Sequence, residues 1–136
     1  MTGLPKSFFN ITFLKPGEWH PEACAGVEYR VIGKDDVGSF IGEAGDGTVY
    51  LLDTMEGAEH PLVYLAKNRK TLAAAIRTYR RYRRGAMAAA FLHFLLHRNE
   101  DNEEEQAQRE AAGLRKKLSA LDPEMLRDEF TFWSPL

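Results

Sequence analysis

Apolar and polar residues alternate with period two through the first half of the chain. Phe9, Ile11 and Phe13 alternate with Asn10 and Thr12, which predicts a half-buried strand over residues 8–14. Pro16-Gly17 closes that strand, and Pro21 interrupts the segment after it. Val27, Tyr29 and Val31 alternate with Glu28 and Arg30 in a second strand, ended by Gly33 and Lys34-Asp35-Asp36. Segments 39–44 and 48–53 flank Gly45-Asp46-Gly47, residue types that accept the positive φ of a tight turn, and form a β-hairpin. A last strand covers 62–65. No link before residue 69 is long enough for a buried crossover helix, so an antiparallel meander is the economical topology.

The period then changes. Asn68 is placed to cap a helix beginning at Arg69. Leu72, Ile76 and Tyr79 follow helical spacing, with Ala73-Ala74-Ala75 raising local propensity. Gly85 ends or kinks this helix, and the pattern resumes to His97. After a break over 99–102, a second helix from about 103 to 120 carries Ala107, Ala111, Leu114, Leu118 and Leu121 as one apolar stripe. Asp122-Pro123 ends it. Sheet over about 8–66 followed by packed helices over about 69–127 is an α+β arrangement, and 136 residues suit a single domain spanning 1–136.

Composition narrows the function. A net charge of −2 gives no overall drive toward nucleic acid or an anionic membrane. The charge is uneven, however: residues 1–68 hold 5 basic and 10 acidic side chains, and residues 69–136 hold 13 and 10. Cys24 is the single cysteine, which excludes an internal disulfide and a multi-cysteine zinc site and points to a reducing compartment. Without a signal-like start or an apolar run near the ~20 residues of a membrane span, a cytoplasmic protein is expected.

Little in the sequence suggests catalysis. His93 and His97 stand four apart on a helix, but no Glu lies between them in the metalloprotease arrangement and no third ligand is near, so no metal site is expected. The serines lack a nucleophile elbow. Cys24 follows His20 by four residues, a pairing that means little unless a base and an oxyanion site converge. Gly42, Gly45 and Gly47 are turn glycines outside any strand–loop–helix phosphate cradle. No catalytic residue and no cofactor is assigned.

Two stretches bear on binding. Arg77, Arg80, Arg81, Arg83 and Arg84 surround Tyr79 and Tyr82, the residue types of nucleic-acid surfaces. On a helix they point around much of the circumference, and the acidic residues Glu100, Asp101 and Glu103 to Glu105 follow closely. A solvated or internally paired face is the first reading of this block; an anionic partner, making the chain a small nucleic-acid-binding regulator, is the alternative. Residues 86–96, which include Ala86, Phe91 and Leu96, are apolar nearly all round. They belong either at the centre of the domain or in an interface with a partner or with a second copy, as a homodimer.

Four stretches, taken in order, resemble the SUKH superfamily of bacterial immunity proteins, in particular the subgroup found beside nucleic-acid deaminase and nuclease toxins. Tyr29-Arg30-Val31-Ile32-Gly33 is similar to the strand opening the family's central meander. The hairpin from Phe40-Ile41-Gly42-Glu43 to Val49-Tyr50-Leu51-Leu52-Asp53 follows its strand, Gly-containing turn, strand and Asp pattern. Val63-Tyr64-Leu65-Ala66-Lys67-Asn68 leads into Leu72 and Ile76 as its short strand leads into a capped helix. Leu114 to Leu118, then Leu121-Asp122-Pro123 and Trp133, resemble its closing helix and tryptophan. The chain departs from the pattern at Ala66-Lys67-Asn68, where the family commonly has an Asn-Ser-Ser type turn, and over 85–105, which is longer than the usual connection.

The resemblance implies a protein that binds and neutralises a cognate toxin domain and has no catalytic residues of its own. Toxins of this kind present cationic clefts to nucleic acid, and an acidic surface competes for such a cleft. The candidates for that surface are Asp35, Asp36, Glu43, Asp46, Asp53, Glu56 and Glu59, with Trp19 and Tyr50 as aromatic anchors.

Overall fold

In a computed structural model, residues 3–54, 61–96, 101–126 and 133 are described; the side chains at 86, 89–96 and 101–107 lie outside that description. Seven strands come first: β1 (Ser7–Phe8), β2 (Ile11–Phe13), β3 (His20–Cys24), β4 (Val27–Asp35), β5 (Phe40–Glu43), β6 (Val49–Leu52) and β7 (Leu62–Ala66). Helices α1 (Arg69–Leu96) and α2 (Asp101–Leu121) follow, and a short 3₁₀ turn covers Pro123–Leu126. All strand pairs are antiparallel, in the order β1-β2-β4-β5-β6-β7, with β3 also on β4. The expected α+β architecture, a meander sheet followed by helices, is the one observed.

Local details differ from the sequence pattern for identifiable reasons. The strand expected over 8–14 is broken into a hairpin, because Phe9 takes a φ of 53° and turns the chain between β1 and β2. The segment containing Pro21 is a full strand. β3 pairs only with β4, so Pro21 sits at a sheet edge where its missing N–H is tolerated. Ala25 and Gly26, both at positive φ, close the tight β3–β4 turn. Gly85 neither ends nor interrupts α1, which runs unbroken through it. His97 and the break expected at 99–102 fall partly outside the described residues, and α2 is helical from Asp101.

One face of the sheet packs on the helices. Ile32, Ile41, Val49 and Leu65 meet Leu72, Ala75, Ile76 and Tyr79 of α1, Leu114 and Leu118 of α2, Met125 and Trp133. Leu114, Leu118 and Leu121 of the α2 stripe thus face inward. The opposite face carries a smaller cluster of Cys24, Tyr29 and Leu52, flanked by Phe40, Tyr50 and Leu62. Cys24 Sγ lies 3.5 Å from the Pro61 carbonyl oxygen, so the β3–β4 hairpin reaches the β6–β7 link across the curled sheet.

Two bulges set the curl. Val31 and Gly33 pair with consecutive residues of β5, leaving Ile32 as the extra residue; Ala66 and Tyr64 pair with consecutive residues of β6, leaving Leu65 extra. Gly42 allows the close approach between them: a Cβ there would lie 2.5 Å from Leu52 Cδ1 and 3.0 Å from Tyr29 Cβ. Leu52 is fully buried, and the Tyr29 Cβ is fixed to the backbone of β4 and cannot swing aside. Gly42→Ala is therefore expected to destabilise the protein by about 1–3 kcal/mol, measured by urea denaturation. An unchanged midpoint would show that the sheet can flatten freely.

Candidate interaction site

The bulge-free stretch of β4 against β5 places Arg30 directly opposite Glu43. Glu43 is in phase with Ile41, so its carboxylate points to the helix side of the sheet and is only 7% exposed. A buried carboxylate is costly unless paired, and two guanidiniums pair this one. Arg30 binds Oε1, and Arg69 Nε, from the first residue of α1, lies 2.7 Å from Oε2 without hydrogen-bond alignment. Arg69 arrives there because Asn68 caps α1: its Oδ1 accepts the Thr71 N–H at 2.7 Å.

Trp19 completes the corner. The 3₁₀ turn Pro16–Glu18 presents it, and its indole N–H donates to the Leu14 carbonyl at 3.1 Å. The guanidinium carbons of Arg30 and Arg69 both lie 5.0 Å from its ring centre. The arginine side chains remain 50% and 37% exposed, so the arrangement is open to a partner.

Grooves of opposite character flank the β5–β6 turn. One, of about 640 Å³, is lined by Glu43, Gly47, Asn68, Arg69, Lys70 and Arg77 together with Gly3 and Ala73. The other, of about 770 Å³, has Glu28, Arg30, Glu43 and Asp46 as its charged lining, beside Trp19, His20 and Tyr29. Asp46 Oδ1 accepts the Thr48 N–H at 3.0 Å, and this bond holds its carboxyl below the usual carboxylate range.

The acidic candidates do not form one surface. Glu43 and Asp46 stand at the β5–β6 end of the hairpin with Trp19. Asp35 and Asp36 stand at the opposite end of β5. There Asp35 Oδ1 accepts the N–H groups of Val37 and Ser39, and Asp36 accepts Asn10 Nδ2–H at 2.9 Å. By register, Asp53 also lies at that end, its N–H donating to Pro61 at 2.9 Å. Glu56 and Glu59 lie outside the described residues. Tyr50 is on the other face of the sheet, edge-on to Tyr29 and Tyr64 with centroids 5.8 and 6.0 Å away.

The arginine block is dispersed. Arg77 lines the first groove, while Arg81 lines a cavity between α1 and α2. Arg80 donates to the Ser7 carbonyl and sits 5.9 Å from the Phe8 ring centre; Arg83 sits 5.5 Å from that of Phe9. Arg84 is exposed. Burial, and then the charge of Asp53, push the Cys24 thiol up, the reverse of what a nucleophilic thiolate needs. Among the described residues no helix is long and apolar enough to cross a membrane.

Sequence reasoning named Trp19, Glu43 and Asp46 but not Arg30 or Arg69. One signal was available: Glu43 two residues after Ile41 on one strand face implies a buried carboxylate in need of a cation. Which cation answers it depends on strand register and helix docking.

A family model described as SUKH-4 immunity protein matches residues 1–136, the whole chain. No curated protein and no solved structure matches the chain.

Proposed function

We propose, because the chain belongs to the SUKH-4 immunity protein family, that residues 1–136 act as one immunity domain that binds a cognate toxin in the cytoplasm and neutralises it by covering its active site. The whole-chain family match carries this reading. The corner around Trp19 supports it, since tryptophan and arginine dominate the energetics of protein interfaces and these are already held in place before a partner arrives. Inhibition by occlusion requires shape and charge complementarity and no catalytic group.

The toxin we propose is a nucleic-acid deaminase or nuclease, whose substrate cleft is cationic. Glu28 and Asp46, in the groove beside Trp19, oppose such a cleft and steer association. The test is co-expression with the toxin domain encoded beside this reading frame. Wild-type chain is expected to restore growth and to elute with the toxin in a stoichiometric complex. The double variant Glu28→Lys/Asp46→Lys is expected to associate about tenfold more slowly or worse at low salt. Continued toxicity with no complex would refute the function. An unchanged association rate for the variant would refute the acidic steering alone.

A further inference from the structure

The groove on the other side of the β5–β6 turn has the opposite charge. Among the described residues that line it, Glu43 is the one acid; Arg69, Lys70 and Arg77 supply three cations, and Arg30 adds a fourth across the Trp19 ring. Glu43 neutralises one of these, so the corner keeps an excess of positive charge on side chains that remain accessible: Lys70 and Arg77 are exposed, and Arg69 is part-exposed. A pair of arginines fixed by one buried carboxylate and one aromatic ring loses little conformational freedom when it takes a further anion.

We infer that this groove receives a carboxylate-bearing segment of the cognate toxin, with Arg69 as its fixed anchor and Lys70 and Arg77 as its outer contacts. The inference rests on the proposed function and adds a second, oppositely charged contact to it. Nucleic acid fits less well. A phosphate backbone is negative along its whole length, and leaving this groove past the β5–β6 turn brings it against Glu28 and Asp46. A folded protein can present an acidic segment to one groove and basic residues to the other. The turn at residues 44–48 then acts as a charge-sorting ridge that fixes the orientation of the complex.

The experiment measures affinity, by calorimetry, for the purified toxin domain encoded beside this reading frame. Arg69→Glu is expected to weaken binding by about a hundredfold, but it also disturbs the Glu43 pairing. Lys70→Glu/Arg77→Glu leaves that pairing intact and is expected to weaken binding by about tenfold to a hundredfold with an unchanged melting temperature. Lys116→Glu, exposed on α2 and lining neither groove, serves as the control. Wild-type binding that the Lys70→Glu/Arg77→Glu variant retains in full would overturn the inference and leave the immunity function standing. Absence of wild-type binding would remove both. Binding of a generic DNA duplex, lost in the same variant, would overturn it in favour of a phosphate ligand.

Discussion

Replacing Trp133 by alanine is expected to cost about 3–5 kcal/mol, a large share of the roughly 5–15 kcal/mol that holds a domain of this kind together. The side chain is fully buried among Phe8, Tyr79 and Met125. Its ring centre lies 5.9 Å from that of Phe8 and 6.2 Å from that of Tyr79. Its indole N–H donates to the Leu65 carbonyl at 2.7 Å, and Leu65 is the extra residue of the β7 bulge. Alanine removes both the packing and the bond. Trp133→Phe separates them: it keeps most ring contacts and leaves a buried carbonyl unpaired, for an expected loss of about 1–3 kcal/mol. Urea denaturation of the two variants checks the order. Equal losses would mean that the hydrogen bond, not the packing, dominates.

Asp122→Ala is expected to cost about as much, 3–5 kcal/mol, by leaving several donors without an acceptor. Oδ2 accepts the Tyr64 hydroxyl at 2.5 Å and the Lys67 N–H at 2.9 Å, while Oδ1 accepts the Glu124 N–H at 3.1 Å. The residue is 2% exposed. One carboxylate thus ties the end of α2 to the end of β7. Asp122→Asn is no rescue, since an amide NH₂ would face a donor.

The same contact sets a pH dependence. Burial first, and then the hydrogen bond to Asp122, raise the Tyr64 hydroxyl above its ordinary value of 10.0. Above that pH the unfolded chain loses this proton while the folded chain keeps it. The stabilisation is therefore complete below pH 10 and lost as pH rises through the folded group's own titration. Burial also raises Tyr29 and Tyr79, so alkaline unfolding sums several hydroxyls. Tyr64→Phe is expected to remove its share and make stability fall less steeply above pH 10. An unchanged slope would disprove the assignment.

Most elements were legible because their periods are local properties of the chain: the 39–53 hairpin, the strand after Pro61, the Asn68 cap and the inward leucines of α2. The errors came where tertiary contacts override the pattern. Period two runs straight through Phe9, and nothing nearby in sequence marks the turn there. Pro21 reads as a break unless its strand is known to lie at an edge. Gly85 costs a helix about 1 kcal/mol relative to alanine, too little to interrupt one as long as α1. At the interaction site, Trp19, Glu43 and Asp46 stood out by residue type, whereas Arg30 and Arg69 gained meaning only from cross-strand register and the docking of α1. The acids split between the ends of β5 for the same reason: charge counts along a chain say nothing about which end of a hairpin each residue occupies.

The Trp133–Leu65 bond bears on how the protein is made. It spans 68 positions, and among the described residues β7 is an outer strand of the sheet. During synthesis every strand is complete before the indole that occupies the Leu65 carbonyl has been added. For that interval the edge of β7 is a template for pairing with another chain. Formation of the Trp133 contacts then waits on closure of a long loop, which slows that step of folding.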